Sequence, residues 1–323
     1  MEDCTALAIV EQPPLPAELT ATLELAADFA KASKAKATQA AYESDFRIFE
    51  SWCRRSGLNA LPSTPATLCA FLADEASAGR CASTLGRRLA AIRYFNRSAG
   101  HETPTGDEKV KAVLSGIRRT IGAAPVRKKA ATADIVLGMV PRGDTLRELR
   151  NRAIILLGFA GAFRRSELVA LDVADIEFTA EGALITIRRS KTDQEGLGRK
   201  VAIPKGEVAC PVAALKVWLA AAAITAGAVF VRIWNKRSQR ITASRLAARN
   251  VAAIVKAGAA KLGFDPSTFG GHSLRSGLVT TAVKRGVNLM KICDQTGHKS
   301  LEMLRVYSRD AELFAGNAAA GLL

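Results

Sequence analysis

Only three histidines and three tyrosines occur among the 323 residues of the chain. Two of the histidines and one tyrosine gather near its C-terminal end: His272 in Gly-Gly-His-Ser-Leu-Arg275, His298 in Thr-Gly-His-Lys-Ser300, and Tyr307. Upstream, Gly161-Ala-Phe-Arg164-Arg-Ser-Glu167-Leu closes an apolar stretch with an arginine, and Lys191 stands at the turn of a polar hairpin sequence. This set suits phosphoryl transfer. The pentavalent state of a phosphodiester is dianionic, and planar guanidinium forks bind its non-bridging oxygens in pairs, so Arg164, Arg275 and one or both imidazoles form an electrostatic clamp. A phenol can attack phosphorus and hold the strand as a phosphotyrosine, dividing one exchange into two transesterifications, a part that falls to Tyr307. The departing 5′-hydroxyl needs a proton, and a lysine among cations can have the lowered pKa that a general acid requires, a part that falls to Lys191. The scheme needs no metal or other cofactor, and no Asp/Glu cluster or His pair at ligand spacing is visible. Singly, each signal is weak: an Arg-x-x-Glu pair is usually a surface ion pair, and a hairpin lysine is usually solvated. Their order, drawn from so few histidines and tyrosines, is what gives them weight.

The charge supports a polyanionic substrate. Lys and Arg number 46 against 30 Asp and Glu, a net +16. Residues 1–30 carry six acids and no bases, residues 31–129 carry eighteen bases and eight acids, and the rest carries twenty-eight and sixteen. Nucleic acid is therefore the first partner to consider. The longest uncharged apolar run, Val217–Val231, has fifteen residues and is too short to span a bilayer, so no membrane role is expected. No secretory signal pattern is visible, which makes a bacterial-type cytosol or a nucleus the expected compartment. The six cysteines lack paired spacing and are expected reduced.

At this length two domains are expected. Residues 1–27, acidic and with three prolines, read as a flexible arm. Residues 28–122 read as a helical module. Tyr42, Phe46, Phe49 and Trp52 or Cys53 mark a first helix ended by Gly57, and Thr64-Pro65 begins a second. A third follows Ser83, with Leu85, Leu89, Ile92 and Phe95 inward, and the last runs from about Asp107 to Ile121. On the third helix Arg87 points away from the apolar stripe and Arg93 flanks it, a pattern that suits a solvated face and a DNA contact equally. Arg88, nearer the stripe, supports the fold. Residues 123–133 form a basic linker whose Arg127, Lys128 and Lys129 can lie on phosphates. The catalytic domain, 134–309, is expected to be mostly α, with a helix around Leu146–Leu149, an apolar helix Ala153–Phe163, and strands at Ala183–Arg189 and Lys200–Ile203. Beyond them the chain is expected to be helical, with Arg245 at a helix start as a further DNA-contacting candidate.

In this order, Arg164-x-x-Glu167, Lys191 in a hairpin, His272-x-x-Arg275, Gly297-His298 and Tyr307 resemble the tyrosine recombinase (phage integrase) family over about residues 30–315. The arrangement is similar to Cre-type and Xer-type simple recombinases, and the stretch Ser83–Gly100 followed by the Gly116-Ile-Arg-Arg119 helix end looks closest to Cre, which implies a third helix laid in the major groove with Arg87 able to read a guanine. The resemblance implies a helical, SAM-like core-binding domain and a catalytic domain of the DNA breaking-rejoining fold with a small antiparallel sheet. It implies that Arg164 and Arg275 grip the scissile phosphate, Lys191 protonates the leaving oxygen and His272 assists proton transfer at the nucleophile. By the same likeness His298 hydrogen-bonds the phosphate, Tyr307 is the nucleophile, and Glu167 supports the site from behind. Cre carries Trp at the position of His298, where His is the usual family residue. The partners implied are double-stranded DNA with inverted-repeat half-sites and further copies of the chain, a dimer on one site and a tetramer in synapsis. Residues 310–323 are implied to dock on a neighbouring protomer. A type IB topoisomerase shares this chemistry, and a DNA-binding regulator could retain the fold without it. Both readings stay open at the level of sequence.

Overall fold

Helix α1 (Lys36–Arg55) buries Phe46, Phe49 and Cys53, three positions on one face of a 3.6-residue period. It stops at Gly57, whose φ of 66° is a conformation open to glycine at little cost. Leu58 N–H donates to Cys53 O (2.9 Å) and Gly57 N–H to Arg54 O (3.4 Å), the two bonds of a Schellman end. In the computed structural model the described residues are 33–122, 127–190, 193, 196–234, 240–298, 300 and 302, together with positions 19, 22, 23, 25, 26 and 29. Those six early positions are helical, so the arm expected over 1–27 has helical structure at each of them that falls within it.

Thr64 caps α2 (Pro65–Ser77) by accepting the Thr67 N–H, with proline at the first helical position where no amide partner is lost. Helix α3 (Ala82–Ser98) and α4 (Glu108–Ile121), the latter capped by Asp107, complete this unit. Its core joins Phe46, Phe49, Phe71, Leu68, Leu72, Leu85, Leu89 and Ile92, with Phe49 and Phe71 edge to face at 5.0 Å. Each such buried side chain contributes about 1.5–3 kcal/mol. Buried Asn96 on α3 accepts Ser63 N–H at 3.1 Å and donates to Ser63 Oγ at 2.9 Å, pinning the entrance of α2.

The chain parts between Pro125 and Val126, inside the stretch expected as a linker. From residue 127 onward that stretch belongs to the second unit: Lys129 N–H donates to Thr268 O (2.8 Å), Ala131 N–H to Ser273 O (2.9 Å), and Ala131 is fully buried. In the second unit α5 (Ala133–Met139) leads to α6 (Leu146–Ala160). This one helix replaces the two expected across 146–163. Its residues Ala153–Gly158 are buried in succession, so the helix is enclosed, and the burial all round hid its continuity from a one-face pattern. After α7 (Arg165–Ala170) an antiparallel sheet forms from β1 (Ile176–Phe178), β2 (Gly182–Ile187) and β3 (Arg199–Pro204), in the order β1-β2-β3. Strands β2 and β3 fall where the alternation placed them, with Ile187 opposite Arg199 at the mouth of the Lys191 hairpin.

The expectation of helix from there to the end is wrong. After α8 (Pro211–Ala221) comes a second antiparallel pair, β4 (Val231–Trp234) and β5 (Arg240–Arg245), before α9 (Ala248–Lys261), α10 (Ser273–Lys284) and α11 (Leu289–Thr296). Arg245 thus ends a strand and does not start a helix. Strand β5 is mostly exposed and polar, so it lacked the apolar alternation that marks a strand. Trp218 on α8 is fully buried in the second unit's core and donates to Val229 O at 2.8 Å. Trp52 is half-buried at the margin of the first unit's core and donates to Asp74.

Candidate active site

The site lies in the second unit, where the end of α6, the start of α7, the start of α10 and the end of α11 meet. The chain leaves α6 through Gly161-Ala162-Phe163, and Ala162 takes a φ of 48°, a strained value for a side-chain-bearing residue. Its carbonyl receives Arg275 Nη1–H at 2.8 Å, so the bend presents an acceptor to one arginine just before delivering the other. Arg164 follows as the residue capping α7. Its Nη1 meets Glu167 Oε1 at 2.6 Å, and its backbone N–H donates to Glu167 Oε2 at 2.9 Å. The spacing of three places the carboxylate in the first turn of α7, where it closes onto its own helix start. Glu167 is almost fully buried and Arg164 largely so. Glu167, which the resemblance places behind the site, contacts both the side chain and the backbone of Arg164.

Arg275 sits on the first turn of α10, fully buried, while His272 precedes that helix with an exposed edge. Helix α10 can approach so closely because Gly277 carries no side chain: a Cβ there would lie 1.7 Å from Ala131 O. Arg275 Nη2 meets His298 Nε2 at 3.0 Å. The other ring nitrogen, Nδ1, lies 2.7 Å from Thr296 Oγ1, whose own hydroxyl donates to Ile292 O at 2.6 Å. With that hydrogen committed, Nδ1 is the donor to Thr296 and Nε2 the acceptor from Arg275, the neutral imidazole. Loss of hydration, followed by the charges of Arg275, Arg164, His272 and Arg199, pushes the His298 pKa down to about 4. Loss of hydration and then Arg275 and Arg164 also lower that of His272. The two histidines and three arginines therefore share one positive field.

Of the other expected residues, Lys191 and Tyr307 lie outside the described residues. The base of the Lys191 hairpin is defined: Asp193 accepts the N–H groups of Gly196, Leu197 and Gly198, and Arg188 pairs with Asp175 at 2.6 Å. The candidate DNA-contacting residues are mostly engaged within the protein. Arg87 lays its fork on buried Asp45 of α1 (2.6 and 3.0 Å), with about half of its side chain exposed. Buried Arg88 pairs with Glu75 and Asp45, as its place near the stripe suggested. Arg93 donates to Thr105 at 2.8 Å. Lys128 donates to Ser267 O, Lys129 covers the Phe264 ring, and Arg127 is exposed. Arg245 pairs with Asp172 at 2.5 Å and donates to the carbonyls of Val169 and Leu171.

Arg199 was missed. Its Nη1 donates to Gln295 O at 3.1 Å and its Nη2 faces Glu167 Oε2 at 3.8 Å. The signal was present, because residues two apart on a strand share a face, and Arg199 aligns with buried Val201 and Ile203.

Residues 140–313 match the Phage integrase family model. An integrase/recombinase XerD homolog of Selenomonas ruminantium is 38% identical over 293 residues, spanning 88% of this chain and 85% of the relative. The chain belongs to the phage integrase family. The tyrosine recombinase XerC of Mycobacterium tuberculosis, 29% identical over 283 residues, spans 85% of this chain and 88% of its own length. Among solved structures, the XerH site-specific recombinase bound to palindromic difH substrate aligns with a TM-score of 0.60 at 18% identity, over 81% of this chain and 73% of that one. A lambda integrase dimer bound to a COC′ core site aligns with a TM-score of 0.59 at 17% identity, over 92% and 82%. The fold is that of the phage integrase family. The curated relatives are of the Xer type, one of the two arrangements the sequence resembles, and they make this member a tyrosine recombinase.

Proposed function

We propose that this tyrosine recombinase exchanges DNA strands at inverted-repeat sites through a 3′-phosphotyrosyl intermediate. The observation that carries the reading is the convergence of Arg164, Arg275, His272 and His298 in one positive field. Arg275 and Arg164 would take the non-bridging oxygens of the scissile phosphate, and Glu167 holds Arg164 from behind. Tyr307 would attack phosphorus, with His272 accepting its proton, and the bond to the 5′-oxygen would break as Lys191 supplies the proton to that oxygen. The reverse attack by a 5′-hydroxyl of the partner strand restores the phosphodiester and frees the phenol, so no external energy source enters. The anion would also act on His298. A dianion beside its ring raises its pKa and lets Nε2–H donate to the phosphate in place of accepting from Arg275.

Double-stranded DNA would be held by both units, with Arg87, Arg93, Arg127, Lys128, Lys129 and Arg245 as contacts. Engaging a base would require Arg87 to leave Asp45. A dimer would occupy one site and a tetramer the synapse. Residues 310–323, with Leu313, Phe314, Leu322 and Leu323, supply apolar groups for docking on a neighbour. An apolar groove of about 600 Å³ in the second unit, lined by Val136, Leu156, Phe159, Pro204, Ala282 and Ile292, supports such an exchange. Among the described residues no helix is long and apolar enough to cross a membrane, and a cytoplasmic place beside DNA follows from the substrate.

On a nicked suicide substrate the wild-type chain is expected to become covalently attached, whereas Tyr307→Phe binds the same duplex without attachment. Trapping by Tyr307→Phe would remove Tyr307 from the reaction. Relaxation of supercoiled plasmid without any preferred site would favour a topoisomerase, and specific binding without attachment by the wild type would favour a regulator.

A further inference from the structure

Three features converge on Arg199. It is the first residue of β3, at the mouth of the Lys191 hairpin, and only about a fifth of its side chain is exposed. Its Nη1 is bonded to the carbonyl of Gln295, in the last turn of α11, three residues before His298. Gly297, the left-handed turn between them, lies directly over the guanidinium: a Cβ at Gly297 would stand 2.9 Å from Arg199 Nε and 3.2 Å from its Cζ. On the other side, Nη2 is buried without a hydrogen bond, facing at 3.8 Å the Glu167 oxygen that also receives the Arg164 backbone. Burying a guanidinium costs free energy, and loss of hydration lowers its pKa even with Glu167 opposing the shift. A residue needed only to finish a strand would carry no such cost.

We propose that Arg199 is a positioning residue for strand cleavage: it ties the α11 terminus that carries His298 to the Glu167 carboxylate that holds Arg164, and so sets the spacing of the two halves of the phosphate clamp. The inference rests on the proposed function and adds a residue to it. The charge balance agrees with the assignment. Arg199 offsets the Glu167 carboxylate, so that Arg164 and Arg275 keep their charge for the dianionic pentavalent phosphorus. Without Arg199, Glu167 draws on Arg164 alone, in competition with the phosphate.

The test uses the full-length chain with Arg199→Ala, Arg199→Lys and Glu167→Gln. Single-turnover attachment to a suicide substrate is expected to slow about 10²-fold in Arg199→Ala, the scale of a small misplacement in a preorganised site. Duplex affinity should change less than about 3-fold, since Arg199 is not a DNA contact in this scheme. The double variant Arg199→Ala/Glu167→Gln should react no more than about 3-fold slower than the slower single variant, because the two residues act along one line. Arg199→Lys keeps the charge without the planar fork and should recover less than half of the lost rate on a logarithmic scale.

A second readout does not depend on catalysis. With three histidines in the chain, ring resonances can be assigned and titrated. The titration of His298, which Arg275, Arg164, His272 and Arg199 all face, should move to higher pH in Arg199→Ala and return toward wild type in Arg199→Lys. A wild-type attachment rate in Arg199→Ala, strictly multiplicative losses in the double variant, or an unmoved His298 titration would each overturn the proposal. If Arg199→Ala does not fold, Arg199→Lys carries the test, and a wild-type attachment rate in that variant overturns the proposal. Absence of attachment by the wild-type chain would instead defeat the recombinase reading, leaving the His298 titration to decide whether Arg199 sets the site.

Discussion

His298 concentrates the chemistry of this site in one ring. Its pKa falls from the ordinary histidine value to about 4, so between roughly pH 6.5 and 4 the unfolded chain takes up a proton that the folded chain refuses. Stability contributed by this histidine is therefore present above the ordinary histidine pKa and is lost as pH falls toward the folded value. His272 adds to the loss in the same direction. Thermal melts of the DNA-free protein should show a melting temperature that declines on acidification through this window, less steeply in His298→Gln; an equal decline in both would contradict the burial of a neutral ring. Glu167 makes the complementary case. As a buried carboxylate between two guanidiniums, its replacement by Ala should cost on the order of 3–5 kcal/mol, seen as a lower denaturation midpoint, because Arg164 loses its compensation in a mostly buried place. Most of these residues were legible from type and spacing, since Arg164, Glu167, His272, Arg275 and His298 occur in short motifs. Thr296, which orients the ring, was not, and for Arg199 the alternation with Val201 and Ile203 marked the inward face but not its partners Glu167 and Gln295. Their parts are set by tertiary contact, which no local spacing encodes.

At the scale of elements, the site depends on close approach. Helix α10 reaches the chain at Ala131 only because Gly277 is bare, and the start of that helix carries Arg275. Gly277→Ala would place a carbon against a backbone oxygen, which has no rotamer to escape into. A loss of about 2–3 kcal/mol is expected, with attachment activity falling alongside it, and an unchanged melt would show that α10 can shift without harm. In the first unit, α1 and α3 are joined through Asp45, which takes the Arg87 fork. Asp45→Asn should lower the melting temperature and free that fork. Duplex binding should then tighten, with a salt slope steeper by about 0.9, the contribution of one added phosphate contact. An affinity and a slope both equal to wild type would show that Arg87 does not reach DNA. The first four helices were readable from one-sided apolar stripes, joined in α2 and α4 by side-chain caps at Thr64 and Asp107. The pair β4 and β5 was not, because an exposed polar strand borrows its structure from its partner.

Across the whole molecule the net charge of +16 now has two levels of meaning. Most of the excess is spread over two units divided at Pro125 and Val126, and it would hold a long anion by counterion release. A few cations are withdrawn from the surface and would act on one phosphate: Arg164 is held by Glu167, and Arg275 by the Ala162 carbonyl and the His298 ring that Thr296 orients. The central claim is that this cluster serves a covalent exchange at Tyr307. The most direct measurement is tandem mass spectrometry of the peptide left on DNA after the wild-type chain reacts with a nicked suicide substrate and is digested. The expected result is a single adduct on Tyr307, linked through the 3′-phosphate of the cut strand. An adduct on another residue, or a link through a 5′-phosphate, would contradict the assignment of the nucleophile and the direction of the reaction.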